Sequence, residues 1–458
     1  MKLKIDAKLD SGFIPMSLVC KEMRENTIQN GQDLIIAVER NQGYTYVYKT
    51  RIYKDNTDHD QENCAFIDRI AKTLLWVAGG YKLTIAGSDV VGEYIKNTFC
   101  YGGQRDFDVR FMERIYEKPF EVAIVPYENA PQEKSSACPV GKHLDGCRIG
   151  FDAGGSDRKV SAVIDGETVY SEEVVWFPKL NSDPSYHYDG ILSAMKTAAS
   201  YLPRVDAIGV SSAGVYINNK IMVASLFIKV SDEDFEKSVK NMYLDVVREI
   251  GENIPIEVAN DGDVTALAGA MSLEDNGILG IAMGTSEAAG YVDMDGNITG
   301  WLNELSFAPV DFNKNAATDD WSGDYGCGSK YFSQDAVIKL APSANIKFDE
   351  NLSPAEKLKI VQNLMAQGDE RTKAIYETIG VYFGYALAYY AEFYDIKHVL
   401  IMGRVTSGEG GTIILEKARE VIREEFPTLT KKMTLNIPDE KARRVGQSVA
   451  AASLPKTK

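Results

Sequence analysis

Two stretches of this chain share one design. "CRIGFDAGGSDRKVSAVIDGETVY" (147–170) and "NGILGIAMGTSEAAGYVDMDGNITG" (276–300) each read as a strand, a tight glycine-bearing turn and a second strand. Between and after them, strand-like runs alternate with helix-like ones. "VDAIGVSSAGVY" is a strand ending in small residues, and "DEDFEKSVKNMYLDVVREIG" an amphipathic helix closed by Gly251. "IPIEVAN" leads as a strand into the helix "DVTALAGAMS". "DERTKAIYETIGVYFGYALAYYAEFY" is a long helix with Ile375, Ile379, Phe383, Leu387 and Tyr390 on one face, and "HVLIMGR" a buried strand. Alternation of this kind predicts α/β layers, and the two strand–turn–strand units predict two related halves.

Residues 1–125 have a different texture. "DLIIAVER" and "YTYVYKTRIY" predict a hairpin turning at Gly43. "CAFIDRIAKTLLWVA" has helical spacing, and "YKLTIAG", "DVVGEYIKNTF" and "FEVAIV" follow as strand, helix, strand. This block is expected to be an α+β domain of its own. Residues 126–147, rich in Pro, Ser, Gly and charge, are expected to be a linker. The net charge of −16 disfavours nucleic acid and anionic membrane as partners. No apolar run reaches the ~18 residues a transmembrane helix needs. The six cysteines (Cys20, Cys64, Cys100, Cys138, Cys147, Cys327) are dispersed without a CxxC pair, which points to a reducing, cytoplasmic setting.

The turns carry the chemistry. Gly154 and Gly155 allow a close backbone approach, and with Ser156 they form a nest suited to phosphate oxygens. Asp152 just before them needs a cation between itself and phosphate, which implies Mg²⁺ held partly through water. Alone, this stretch reads equally well as a hairpin turn with an acidic neighbour. Gly284, Thr285 and Ser286 repeat the device, and "IMGRVTSGEGGTIILEKAREVI" adds a glycine-rich loop at Gly403 and Arg404 before a helix. In "IPIEVANDGDVTALAGA", Asn260 and Asp261 stand at a helix start. Asp261 is placed to take a proton from an attacking hydroxyl, and it is equally a good N-cap. The loop "WFPKLNSDPSYHYDG" (176–190) reads either as a pocket wall or as a surface loop, with its helix capped near Asp189. Trp301 and Glu304 are substrate-side candidates, Trp321 could close the same pocket, and "KNAATDDWSGD" reads as a mobile lid. Of the four histidines, His143 in the linker and His398 before a buried strand have no metal-ligand spacing.

In this order the motifs resemble those of the ROK family (repressors, open reading frames, kinases) from about residue 148 onward. "FDAGGSDRKVSAV" and "GIAMGTSEAAGYV" are similar to its two phosphate motifs, and "VANDGDVTALAGA" to its catalytic Asn-Asp segment. "LNELSFAPV", "GDYGCGSKYFS", "VLIMGRV" and "RRVGQSVAAA" are similar to its later motifs. The resemblance implies a two-lobed actin-like ATPase (ribonuclease H-like) fold with an extra N-terminal α+β domain, and ATP and substrate between the lobes. The first lobe would span 148–270, completed by a C-terminal helix at 440–455, and the second 271–439.

It implies an ATP-dependent kinase acting on a hydroxyl of a sugar or sugar-like molecule, with Asp261 as base. Asp152 would lie near Mg²⁺ through water. Gly154, Gly155, Ser156, Gly284, Thr285 and Ser286 would line the phosphates, and Gly403 and Arg404 would lie by the adenosine. Asn260, Glu304 and Ser329 would stand on the substrate side, and dimers are common in the family. The chain departs from the family pattern where Phe307 replaces a His and Ser329 a Glu. Asp320 and Ser322 replace two zinc-binding cysteines and leave Cys327, so no structural zinc is expected. Phe307, expected to be buried, would make the pocket locally apolar. These departures motivate an alternative, a catalytically weak sugar-sensing regulator. No basic helix-turn-helix is found in residues 1–125, which argues against a DNA-binding repressor.

Overall fold

The computed structural model describes residues 2–135, 141–438 and 440–457; Cys138 and part of the expected linker lie outside the described residues. The chain divides into two compact units. One comprises 1–136, 281–289 and 300–437, the other 137–280, 290–299 and 438–458. Residues 1–125 therefore share a unit with the chain's later half.

In that first unit, β1 (Gly31–Glu39) and β2 (Thr45–Tyr53) form the expected hairpin. It turns through Gln42 and Gly43, both at positive φ. β3 (Lys82–Ala86) and β4 (Glu121–Val125) extend the sheet to the order β2-β1-β3-β4. Lys134, expected in the linker, bridges to Thr45 beside this hairpin. α1 (Met16–Thr27), α2 (Asp60–Val77), α3 (Asp89–Thr98) and α4 (Asp106–Tyr116) accompany the sheet. α2 is buried along most of its length, including its charged residues Asp68, Arg69 and Lys72.

Five strands form the sheet of the second unit. β5 (Cys147–Ala153), β6 (Asp157–Ile164) and β7 (Glu167–Val175) run antiparallel in sequence. β8 (Ala207–Ser212) lies parallel to β5, the small strands β9 (Val215–Ile217) and β10 (Lys220–Val223) pair separately, and β11 (Ile256–Asn260) lies parallel to β8. The order is β11-β8-β5-β6-β7. α5 (Pro184–Ala199) starts earlier than expected: Asp183, not Asp189, caps it, and Pro184 sits in its first turn, where its missing N–H costs nothing.

The expected helix over 232–251 is broken. A short turn α6 (Asp232–Asp234) runs into one π-helical turn before α7 (Met242–Ile250). The carbonyl of Lys240 accepts from Ile221 of β10 instead of continuing the helix. α8 (Asp261–Leu273) follows β11.

The remaining strands β12 (Ile278–Met283), β13 (Glu287–Val292), β14 (His398–Met402) and β15 (Thr434–Asn436) form a sheet in the order β13-β12-β14-β15. α9 (Gln334–Leu340), α10 (Pro354–Ala366), α11 (Glu370–Tyr390) and α12 (Gly410–Glu425) belong to the first unit. α11 is buried around almost its whole circumference, not on one face alone. α13 (Glu440–Ala452) closes the second unit's sheet. A Cβ on Gly150 or Gly209 would fall 1.8 or 1.6 Å from the carbonyls of Ser448 or Ala451, so the helix backbone rests directly on β5 and β8. Among the described residues, no helix is long and apolar enough to cross a membrane.

Candidate functional site

β5, β8 and β11 are parallel, so their C-terminal ends fall at one edge of the second unit's sheet, the edge where open α/β sheets carry ligands. Asp152 is the penultimate residue of β5, directly opposite Ser211 of β8, and accepts a hydrogen bond from the Ser211 hydroxyl at 2.8 Å. Burial pushes its carboxyl up to about 6; the Ser211 hydroxyl opposes the rise and the charge of Asp261 adds to it.

Asn260, the last residue of β11, caps α8. Its Oδ1 accepts from the Gly262 N–H at 2.7 Å and its Nδ2 donates to the Gly214 carbonyl at 2.8 Å. The cap role weighed for Asp261 thus belongs to Asn260. Asp261 is the first helical residue, half-buried, and its Oδ1 accepts from Gly262 N–H at 3.0 Å. Its Oδ2 has no hydrogen-bond partner among the described residues. Burial raises the Asp261 carboxyl, while backbone N–H groups and the charge of Lys179 pull it down. The close approach of Gly290 holds this helix start: a Cβ there would lie 2.0 Å from the Gly262 carbonyl carbon. Asp263 accepts from the Tyr291 N–H beside it.

The β5–β6 turn has Gly154, Gly155 and Ser156 as expected. Gly154 is demanded by proximity, since a Cβ would sit 2.7 Å from the Asp157 carbonyl. Ser156 is exposed and donates to Asp157 at 3.1 Å.

Lys179 is a functional candidate that sequence reasoning passed over. Its Nζ lies 3.4 Å from where a Gly155 Cβ would stand. Its short helical turn is pinned from both sides. Trp176 Nε1 donates to the Gly154 carbonyl at 2.7 Å, and the buried His187 ring contacts the Pro178 carbonyl at 3.0 Å. A lone lysine in a polar loop carries no local signal; the nonlocal contacts of Trp176 and His187 select it.

Asp152, Asp157 and Asp261 supply hard oxygen donors of the kind Mg²⁺ takes. Among the described residues, however, no group of three or more His, Cys, Asp or Glu could hold an ion. The donor set therefore fits only a largely hydrated Mg²⁺ that shares phosphate oxygens.

In the first unit, Gly284, Thr285 and Ser286 form a tight turn: Gly284 N–H donates to the Ser286 carbonyl at 3.0 Å, and Gln334 N–H of α9 donates to the Gly284 carbonyl at 2.9 Å. Thr285 and Ser286 are exposed. Gly403 lies against this segment at φ 101°, where a Cβ would meet the Met283 carbonyl at 2.4 Å, so only glycine serves there. Arg404 is exposed, with its carbonyl accepting from Gln362 at 2.6 Å.

Glu304 is half-buried, and its N–H donates to the Trp76 carbonyl at 2.9 Å. Ser329 is buried, with its hydroxyl turned to Asp319 Oδ1 at 3.1 Å. Phe307 is half-buried, not buried: it packs in an aromatic group with Trp76 (4.2 Å between centroids), Phe107 and Phe111 of residues 1–125, and Phe107 and Phe111 are themselves only half-buried. Trp301 packs with Tyr46 and Tyr394, and Trp321 is exposed. Within the segment expected as a mobile lid, residues 318–325 close a hydrogen-bonded turn. Asp319 Oδ2 accepts from the Ser322 N–H and hydroxyl at 2.7 and 2.8 Å, and Asp319 N–H donates to the Asp324 carbonyl.

Glu287, following the second turn, was also passed over. It is 3 % exposed, and neither carboxylate oxygen has a hydrogen-bond partner among the described residues. Its signal was a charged residue opening an otherwise apolar strand.

The ROK family model matches residues 148–436. This chain belongs to the ROK family. The crystal structure of a ROK hexokinase from Thermus thermophilus aligns with a TM-score of 0.50 and 16% identity, over 67% of this chain and 97% of that one. A ROK family transcriptional regulator, a homolog of the E. coli MLC protein, aligns with a TM-score of 0.53 and 19% identity, over 68% of this chain and 79% of that one. Comparison with curated proteins returned no match. The fold is the actin-like ATPase fold of ROK proteins, with an additional N-terminal α+β region.

Proposed function

We propose that this ROK protein is an ATP-dependent kinase that phosphorylates a hydroxyl of a sugar-like small molecule. The observation that carries the reading is Asp261. Its carboxylate stands at the C-terminal strand edge with one oxygen unengaged, and its neighbours are a second buried carboxylate, Asp152, and the lysine of a pinned turn. Asp261 takes the proton of the acceptor hydroxyl. The hydroxyl oxygen forms the new P–O bond as the bond to the ADP leaving group breaks. Such a base supplies roughly 10²–10⁴-fold in rate.

Lys179 and the backbone of the Gly154–Ser156 turn stabilise phosphate charge. Mg²⁺, when bound, neutralises phosphate oxygens, with Asp152 holding it through water. A cytoplasmic location accords with the five described cysteines, all of them free.

Coupled ADP release from ATP across monosaccharides, amino sugars and polyols tests the proposal. Turnover with one acceptor class, lost in Asp261→Asn, is the expected result. Ligand binding without ADP release would support the second reading, a sugar-sensing regulator. That reading is favoured by the Ser329 hydroxyl being committed to Asp319 and Phe307 to an aromatic group.

A further inference from the structure

Glu287 is the least accommodated charge in the first unit. Both its oxygens are buried without a hydrogen-bond partner, and no basic residue forms an ion pair with it among the described residues. Gly328 presses on it: a Cβ at 328 would fall 2.2 Å from Glu287 Oε2 and 2.6 Å from the Leu305 carbonyl. The group whose charge acts on Glu287 is another carboxylate, Glu304. Glu287 in turn acts on Tyr390, whose buried hydroxyl also lacks a hydrogen-bond partner among the described residues. Three orphaned polar atoms and a second acid thus belong to one neighbourhood.

Leaving a polar group unpaired in an apolar interior is costly, and leaving a charge so costs more. A chain that keeps such a group unpaired when empty is equipped to pair it with a ligand. The missing partner is a donor and a cation. Metal ions fit poorly, because no cluster of three metal-ligating side chains exists among the described residues. An ammonium group fits well: it brings three N–H donors, needs no acceptor, and neutralises the paired acids.

We infer that Glu287, with Glu304 and the Tyr390 hydroxyl, receives the primary ammonium group of the small-molecule substrate, so that the acceptor is an amino sugar or a comparable amino polyol. The inference rests on the kinase reading only in calling that ligand the acceptor. Glu287 binds and selects the amine.

Titration calorimetry of the full chain without nucleotide tests it. Glucosamine, galactosamine and mannosamine are each run beside the neutral parent sugar and the N-acetyl derivative. At least one amine should bind roughly tenfold or more tightly than both its counterparts, the scale of one charge-assisted hydrogen bond. Glu287→Gln, which keeps the shape, should abolish that preference while leaving the circular dichroism spectrum unchanged. Absence of amine binding, neutral sugars binding as well as amines, or a preference that survives in a folded Glu287→Gln would each overturn the inference. Should the variant not fold, the comparison of ligands on the wild-type protein decides alone. A neutral sugar that is phosphorylated while amines do not bind sinks this inference and leaves the kinase reading standing. Amine binding without ADP release does the reverse.

Discussion

Asp324 and Glu287 are carboxylates sunk in the same compact unit, and the chain treats them in opposite ways. Asp324 Oδ2 meets Arg69 Nη1 at 2.7 Å, Arg105 Nη1 at 2.7 Å and Lys72 Nζ at 3.0 Å. Lys72 also reaches Asp108 at 3.3 Å, and Arg105 donates through Nε to Asp68 at 2.9 Å. All six groups are buried, and the three cations hold the Asp324 carboxyl far below the usual carboxylate range against the pull of burial. Glu287 pairs with no cation among the described residues, and burial, with the charge of Glu304, pushes its carboxyl well above its usual range. Asp324 ties the loop carrying Ser329 and Cys327 to α2, so its role is architectural. A buried acid that is fully paired reads as structure, and one left unpaired at a family motif reads as a place kept for a ligand.

The largest test of the comparison is Asp324→Asn. Removing one member of a buried ion network should cost about 3–5 kcal/mol of stability, read from urea unfolding at pH 7. A cost near zero would break the claim that this cluster is architectural. Asp261→Asn should lower ADP release by roughly 10²–10⁴-fold while the unfolding midpoint stays at or above that of wild type. A fall in stability would class Asp261 with Asp324.

Asp152 shares with Glu287 a carboxyl raised by burial, although it keeps one hydrogen bond, from Ser211. Its value of about 6 in the folded chain lies above its ordinary 3.8, so the native state holds the proton more tightly than the unfolded chain. Stability is therefore lost as pH rises through that window, and Asp152→Asn should gain up to about 3 kcal/mol at pH 8, with no gain below pH 4. Lys179→Met sharpens the same point more gently. Lys179 lowers the Asp261 carboxyl, so its loss should move the acid limb of the pH–rate profile upward in pH. An unmoved limb would separate the two residues.

Features set by local chain chemistry were legible in the sequence. The hairpin through Gly43, the two glycine turns, β11 delivering Asn260 and Asp261, and β14 leading into the Gly403 loop follow from periodicity and turn residues. What was not legible depends on contacts between distant segments. The helix break at Lys240 arises from β10 taking its carbonyl, and the position of Lys179 from Trp176 and His187. Residues 1–125 read as a separate domain because their hairpin and helices are locally complete; the cations of Arg69, Lys72 and Arg105 look like surface charge until Asp324 is placed among them.

Urea unfolding of Glu287→Gln beside Asp324→Asn, at pH 8 and pH 5, tests the contrast most directly. A carboxyl raised by unpaired burial destabilises the fold increasingly as pH rises above its unfolded value. Glu287→Gln should therefore be more stable than wild type at pH 8, with a smaller gain at pH 5, while Asp324→Asn is less stable at pH 8. Loss of stability in both variants at pH 8 would mean that Glu287 is a paired structural acid after all, and the contrast would fall.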